Sequence, residues 1–341
     1  MVVIKIGSDI MATTNTKKKK KKKLSRKAKV AILISINIIV ILGVIIALAY
    51  DYLIGGMNRN KNFTTNTGDL GIDSSRLEQT MHTKIVNIAL FGVDSRQNTF
   101  SGLSDSIMVC SIDLKKGKIK LTSIARDSQA YINGNPGKIN SAYNNGGCEL
   151  AVKTLNQNFK LDIQDYVTIN MNSLSKVIKV AGGVTLEITN AERIHANHIM
   201  DELTPNSPKI ANSGLVTLTG DQAVAYCRIR KIDSDLYRTD RQRKVISALF
   251  EKAKELNLSE IAEAIHTITP MVETSLSNGE MLELSKILTV GGIHIENLRF
   301  PHENTKYQSS ADTGWNIVYD LDVAASELHE FIYSNVRPDK K

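Results

Sequence analysis

Twenty-one consecutive residues without a charge, VAILISINIIVILGVIIALAY from Val30 to Tyr50, constrain this chain more than any other feature. At about 1.5 Å per residue, a helix of that length spans roughly 30 Å, the thickness of a bilayer's hydrocarbon core. Its polar exceptions, Ser35 and Asn37, can bond to helix carbonyls. The run is long for the apolar part of a cleaved secretory signal, and no small-x-small site follows it, so a retained anchor is expected. Residues 1–29 carry eleven cations against the single anion Asp9, a net of +10. Because cationic flanks stay in the cytoplasm, 1–29 reads as a cytoplasmic basic tail, 30–50 as a single membrane crossing, and everything after Tyr50 as extracytoplasmic. Residues 1–10 resemble neither arm nor anchor, which makes Met11 a candidate start.

The tail also accounts for the basic balance of the whole chain. Subtracting its +10 from the total of +8 leaves −2 on the other 312 residues, and binding of nucleic acid by the folded part loses its compositional support. With 42% hydrophobic residues the chain of 341 can bury a large core. Cys110, Cys148 and Cys227 have neither metal-site spacing nor a disulfide framework and read as small core or loop residues, with one incidental disulfide open.

Residues 51–80 are rich in Asn, Gly and Thr and read as a stalk. From 81 to 336 the pattern is that of one folded domain. KIVNIALFGVD (84–94) is almost continuously apolar, as in a strand covered on both faces. SDSIMVCSID (104–113) and KIKLTSIA (118–125) are two further strands joined by the turn signal LKKG. Helical and strand patterns then alternate, which predicts an α/β layered domain with a central mixed β-sheet flanked by helices. Residues 190–217 have weak periodicity and read as a surface excursion, followed by a helix LTGDQAVAYC, amphipathic helices from DRQRKVISALFEKAKEL onward, a late strand IHIENLRF and a closing helix.

Charged residues gather at one edge of this predicted sheet. With a turn near Lys116 and Gly117, paired numbers in the hairpin sum to about 233, so Asp105 faces Arg126 and Asp127. Asp94 ends the preceding strand and can reach the same edge. Two strand-end carboxylates suit a hard divalent cation such as magnesium, which keeps waters and bridges to phosphate; the alternative is that Asp94 and Asp105 are turn and cap residues. CRIRKIDSDLYRTDRQRK (227–244) packs seven cations into eighteen positions. Its planar guanidiniums suit a phosphate, against the plainer reading of a solvated charge run. Arg228 and Arg230, two apart, point to one side if extended. Thr239 to Gln242 fits a capping box that starts a helix at Asp240. On that helix Gln242 falls at the centre of the apolar face, Arg241 about 90° away at its edge, and Arg243 about 110° away, towards solvent. An inward Arg241 at the positive end of a helix dipole calls for an anion.

Other chemistries fit poorly. In GNPGK (134–138) the first glycine of a phosphate loop would be Ile132 and its last position Ile139. No GxSxG occurs, and His195 with His198 is a lone pair in a predicted loop.

Together NIALFGVDSR, SDSIMVCSID, SIARD, KINSAYNNGG and LTGDQAVAYCRIR followed by RTDRQR resemble, in order and spacing, the LytR-CpsA-Psr proteins of the bacterial envelope. The likeness runs from about Lys84 to Arg243. It implies an extracytoplasmic α/β catalytic domain that binds a polyprenyl-diphosphate-linked glycan, such as a teichoic acid or capsular polysaccharide. The glycosyl phosphate would pass to a peptidoglycan hydroxyl, with Mg2+. Asp94 and Asp105 match the family's metal-linked aspartates. Arg126, Arg228, Arg230, Arg238, Arg241 and Gln242 match its diphosphate-binding groups, and Lys138 and Asn140 fall in its KIN segment. Asp105 or Asp127 would take the hydroxyl's proton, and the arginines would neutralise the leaving diphosphate. Three departures are Cys148 where proline is common, Cys227 where alanine is usual, and a short loop between Arg230 and Arg238. A hydrolase using the same site, or a tethered regulator without catalysis, are the competing readings.

Overall fold

The computed structural model describes residues 56, 58–80, 82–93, 100–233, 235–255, 257–285, 287, 294–309 and 316–340. The basic tail, the apolar run 30–50 and Asp94 lie outside them. In chain order the first elements are β1 (Asn58–Arg59), α1 (Ser74–Thr80), β2 (Ile85–Val93), β3 (Ser104–Asp113), β4 (Lys118–Ile124), β5 (Gln129–Ile132), β6 (Asn135–Lys138), α2 (Ser141–Phe159) and β7 (Asp165–Asn170). Next come α3 (Met171–Val180), β8 (Val184–Ile188), α4 (Asn190–Leu203), β9 (Gly214–Leu218), α5 (Gly220–Cys227) and α6 (Asp235–Ala253). The last are α7 (Leu258–Ile268), β10 (Val272–Thr274), α8 (Asn278–Ser285), β11 (His294–Phe300), β12 (Tyr307–Ser309), β13 (Ile317–Tyr319) and α9 (Leu321–His329).

The apolar strands are apolar because both faces of the sheet are covered. Among the described residues seven strands pair in the order β1-β10-β7-β2-β3-β4-β11. Pairing is mixed: β7 lies parallel to β2, β2, β3 and β4 form an antiparallel meander, and β11 runs parallel to β4. One face packs Phe91, Ile107 and Val109 against Leu155 and Phe159 of α2 and Leu328 of α9. The other packs Ile88, Cys110, Leu121 and Ile119 against Leu276, Ile287 and the partly buried Phe250 of α6. A further cluster joins α3, the antiparallel β8–β9 pair, α4 and α5 to Val245 of α6. Cys110, Cys148 and Cys227 are all buried free thiols, and burial pushes Cys110 and Cys227 up to about 12.

Three sequence expectations are corrected. The stretch taken as a stalk belongs to the domain: β1 pairs with β10, and Phe63, Leu70 and Ile72 enter the core beside α2. These three apolar residues are enough because each is buried. Residues 190–217 hold α4 and β9, not a surface excursion. The Thr189 hydroxyl accepts the Glu192 N–H at 3.1 Å while the Glu192 carboxylate accepts the Thr189 N–H at 2.9 Å, a capping box that starts α4. Helix α6 begins at Asp235, ahead of the expected Asp240, because Leu236 packs into the sheet core and stabilises an extra turn.

Candidate active site

The hairpin turn sets the site's first pair. Ile107 stands opposite Ile124 in the β3–β4 ladder, one residue per strand from the expected register, and continuing it places Asp105 opposite Arg126. Arg126 Nη1 donates to Asp105 Oδ1 at 2.7 Å. Its Nε lies 3.6 Å from Asp127 Oδ2, and Lys138, at the end of β6, bonds Asp127 Oδ1 at 3.0 Å. Asp127 is therefore held between two cations.

From the other side come the arginines that flank α6. Ile229 is fully buried, which turns its neighbours Arg228 and Arg230 to the open side; Arg228 caps α5 in a helical conformation, not an extended one. Arg230 Nη2 reaches Asp105 Oδ2 at 3.3 Å. Arg238, only 1% exposed, donates through Nη2 to the Asp105 carbonyl at 3.2 Å. Its Nη1 lies 3.9 Å from Asp105 Oδ2. Three guanidiniums thus converge on one residue. Two of them, Arg230 and Arg238, line with Asp105 a cleft of about 230 Å³ that Arg228, Cys227, Gln242 and Glu202 also line, with apolar Met171, Ile199 and Leu203 along one wall. The Gln242 amide oxygen is buried with no hydrogen-bond partner among the described residues, a cost that a donor from a ligand would remove. Sequence reasoning missed the apolar wall: Ile199 and Leu203 lie on α4, and the Thr189-Asn-Ala-Glu192 cap was the signal for it.

Arg241 is placed elsewhere. It is inward, as expected, but its anions are the protein's own: Nε bonds Glu192 Oε1 at 3.0 Å, Nη1 bonds Asp233 Oδ1 at 3.1 Å and the Ile229 carbonyl at 3.2 Å, and Nη2 bonds Asp233 Oδ2. Burial alone would lower the Arg241 pKa; the bonds to Asp233 and Glu192 outweigh it and hold it above the usual value. Burial likewise works to raise Glu192, and the Thr189 N–H with Arg241 keeps it below the usual carboxylate range. The diphosphate expected for Arg241 is replaced by a clamp tying α4 and the arginine-bearing loop to α6. Arg243, expected in solvent, is 13% exposed and bonds the Leu298 carbonyl at 3.1 Å and Asp240 Oδ1 at 2.7 Å. Helix α6 packs on β4 and β11 as well as β8, so it has two buried faces where apolar periodicity registers one.

The LytR_cpsA_psr family model matches residues 52–325. A protein of Halalkalibacterium halodurans named polyisoprenyl-teichoic acid–peptidoglycan teichoic acid transferase TagU is 31% identical over 225 residues, covering 64% of this chain and 70% of the relative. A protein of the same name from Bacillus mycoides is 30% identical over 263 residues, 76% and 80% of the two chains. Among solved structures, the LytR-CPS2A-psr family protein YwtF (TagT) with bound octaprenyl pyrophosphate lipid superposes with a TM-score of 0.56. It shares 22% identity and covers 73% of this chain and 90% of that one.

Proposed function

The chain belongs to the LytR-CpsA-Psr family, and from that membership we propose that it transfers a glycosyl phosphate from a polyprenyl-diphosphate carrier to a hydroxyl of peptidoglycan. The observation that carries this reading is the convergence of Arg126, Arg230 and Arg238 on Asp105 beside an apolar wall. Such a cleft offers forked donors to a diphosphate and a dry surface to the first isoprene units. The name shared by the curated relatives makes a teichoic acid the glycan of choice. The domain works outside the cell, tethered by residues 30–50.

Asp105 stands where the three guanidiniums call for an anion. An incoming diphosphate takes over the guanidiniums, which are already oriented and need little reorganisation as charge builds on the leaving group. Asp127, held by Lys138 and the side of Arg126, accepts the proton of the attacking hydroxyl. Among the described residues no three His, Cys, Asp or Glu side chains gather into a metal cage. Magnesium asks for less, since one or two carboxylates with substrate phosphate and water complete its shell; Asp105 would be one of them, and Asp94, outside the described residues, is the second that the sequence offers. Bound there, the ion would supply charge neutralisation on the phosphate oxygens.

Titration of the purified chain with octaprenyl diphosphate tests the reading, followed by mass spectrometry of wall fragments after incubation with lipid-linked teichoic acid precursor. Saturable binding and a phosphodiester-linked product are expected. Free phosphate without linked product would turn the reading to hydrolysis, and absence of binding would sink it.

A further inference from the structure

A second cleft, of about 310 Å³, opens on the other flank of α6. Asp240 and Arg243 line it from the helix, Glu296, Arg299 and Glu303 from β11 and the residues after it, and Arg337 from the C-terminal segment. The same two turns of α6 present Arg238 and Gln242 to the arginine cleft, so one helix separates the two concavities. Strand pairing connects them. Strands β4 and β11 run parallel with Ile124 level with Phe300, which brings Arg126 and Asp127 to the same sheet edge as His302 and Glu303.

The charges of this cleft are already paired. Arg243 and Arg299 each bond one oxygen of Asp240 at 2.7 Å, and Arg337 bonds Asp339 at 2.7 Å. It therefore exerts little pull on an ion, yet the pairs hold hydrogen-bond donors and acceptors in fixed directions. That combination suits a neutral, hydroxyl-rich ligand. Beside the lining residue Arg299, whose guanidinium carbon stands 5.4 Å from its ring centre, Tyr237 is 52% exposed. A cation over one face fixes the ring, leaving a rigid amphipathic platform on which the C–H face of a sugar can pack.

We propose that this cleft is the acceptor subsite: a glycan strand lies in it with one sugar ring on Tyr237 and a hydroxyl directed across the β4–β11 edge to the bound diphosphate. The proposal rests on the transfer reading above. In the step it serves, the hydroxyl oxygen forms a bond to the phosphorus that carries the sugar of the donor. The bond from that phosphorus to the bridging oxygen breaks, its electron pair leaves with polyprenyl phosphate, and the hydroxyl proton passes to Asp127. Tyr237 is a positioning residue for the acceptor.

The test uses the full chain in detergent with three probes: a tetrasaccharide of alternating N-acetylglucosamine and N-acetylmuramic acid with its lactyl carboxylates amidated, octaprenyl diphosphate for donor binding, and lipid-linked teichoic acid precursor as donor for turnover. Tyr237→Ala is expected to weaken tetrasaccharide binding by calorimetry and raise the acceptor KM, each about tenfold, with kcat changed by less than about threefold. Octaprenyl diphosphate affinity should stay within about twofold, since the two clefts are separate. Tyr237→Trp, which keeps an aromatic face, should retain acceptor binding. Tetrasaccharide affinity unchanged in Tyr237→Ala, or no tetrasaccharide binding by the diphosphate-loaded wild type, would overturn the subsite. If the wild type binds tetrasaccharide in a Tyr237-dependent way but not octaprenyl diphosphate, the saccharide cleft stands and the donor reading falls.

Discussion

Asp105 meets Arg126, Arg230 and Arg238 at once, so its carboxylate is worth more to the ligand-free protein than any one exposed ion pair. Asp105→Asn removes the charge but keeps the shape, leaving the buried Arg238 and the partly buried Arg126 without this counter-charge at a cost of about 1–3 kcal/mol. For a domain of this size that is a fall in thermal midpoint of roughly 2–4 °C per kcal/mol. In metal-free buffer, octaprenyl diphosphate should raise the midpoint of Asp105→Asn more than that of wild type, since the ligand supplies the missing anion. Equal shifts in differential scanning calorimetry would show that Asp105 does not occupy the phosphate's place. The Asp105–Arg126 pair was legible because a short turn fixes the register between two strands. Arg241 was half legible: helical spacing put it inward, but its partner Glu192 comes from a helix that the mixed polarity of residues 190–203 concealed. Breaking that pair by Glu192→Gln should cost about 3 kcal/mol near neutral pH. Because Glu192 titrates below the usual glutamate value in the folded protein, its contribution is complete above the usual pKa. It is lost as pH falls through the lowered one. Urea unfolding at pH 7 and in acid should therefore show wild type and Glu192→Gln converging as pH drops, and a constant gap would reject the linkage.

Strands β3 and β4 carry the site's first pair because their paired ends share an edge, and both were readable from apolar runs bounded by turn signals. Short pieces were not. Strands β5 and β6 carry Lys138 on four residues each, too few for a period to register, and β1 gains its partner β10 from more than two hundred residues away. The segment before β2 misled for a related reason. Its polar composition reads as a stalk, while Leu70 is fully buried and the Leu70 carbonyl accepts Asn156 Nδ2 at 2.9 Å. A segment anchored in this way is part of the core it covers. Leu70→Ala should lower stability by about 2–5 kcal/mol, the usual cost of emptying a fully buried leucine site. A tether would tolerate the same change within about 0.5 kcal/mol, so a denaturant midpoint decides between them.

Closure of the fold depends on its last described residues meeting a strand near its middle. Lys120 of β4 is 3% exposed. Its amine donates to the Phe331 carbonyl and, at 2.8 Å, to the Ile332 carbonyl, in the turn Glu330–Ser334 that follows α9. The Phe331 ring lies 5.1 Å from the amine. A cation suits carbonyls at a helix end, and this one ties the C-terminal segment, with the Arg337 of the proposed acceptor cleft, to the sheet that carries Arg126. Burial nevertheless dominates, and with Glu296 opposing it and Lys118 and Lys116 adding to it, the Lys120 pKa falls from 10.5 to about 8. Above that value the folded protein releases a proton that the unfolded chain still holds. Stability therefore rises with pH from about 8 towards 10.5, because the unfolded state binds more protons there. Lys120→Met keeps the stem and removes the titration. Between pH 7.5 and 9.5 the wild type should gain roughly 1–2 kcal/mol relative to Lys120→Met, at about 1.4 kcal/mol per pH unit once the amine has titrated. Urea unfolding of both proteins at the two pH values measures this difference of differences. A wild type that gains nothing over the variant would mean that Lys120 keeps an ordinary lysine pKa, and that the carbonyls of the closing turn hold its charge without penalty.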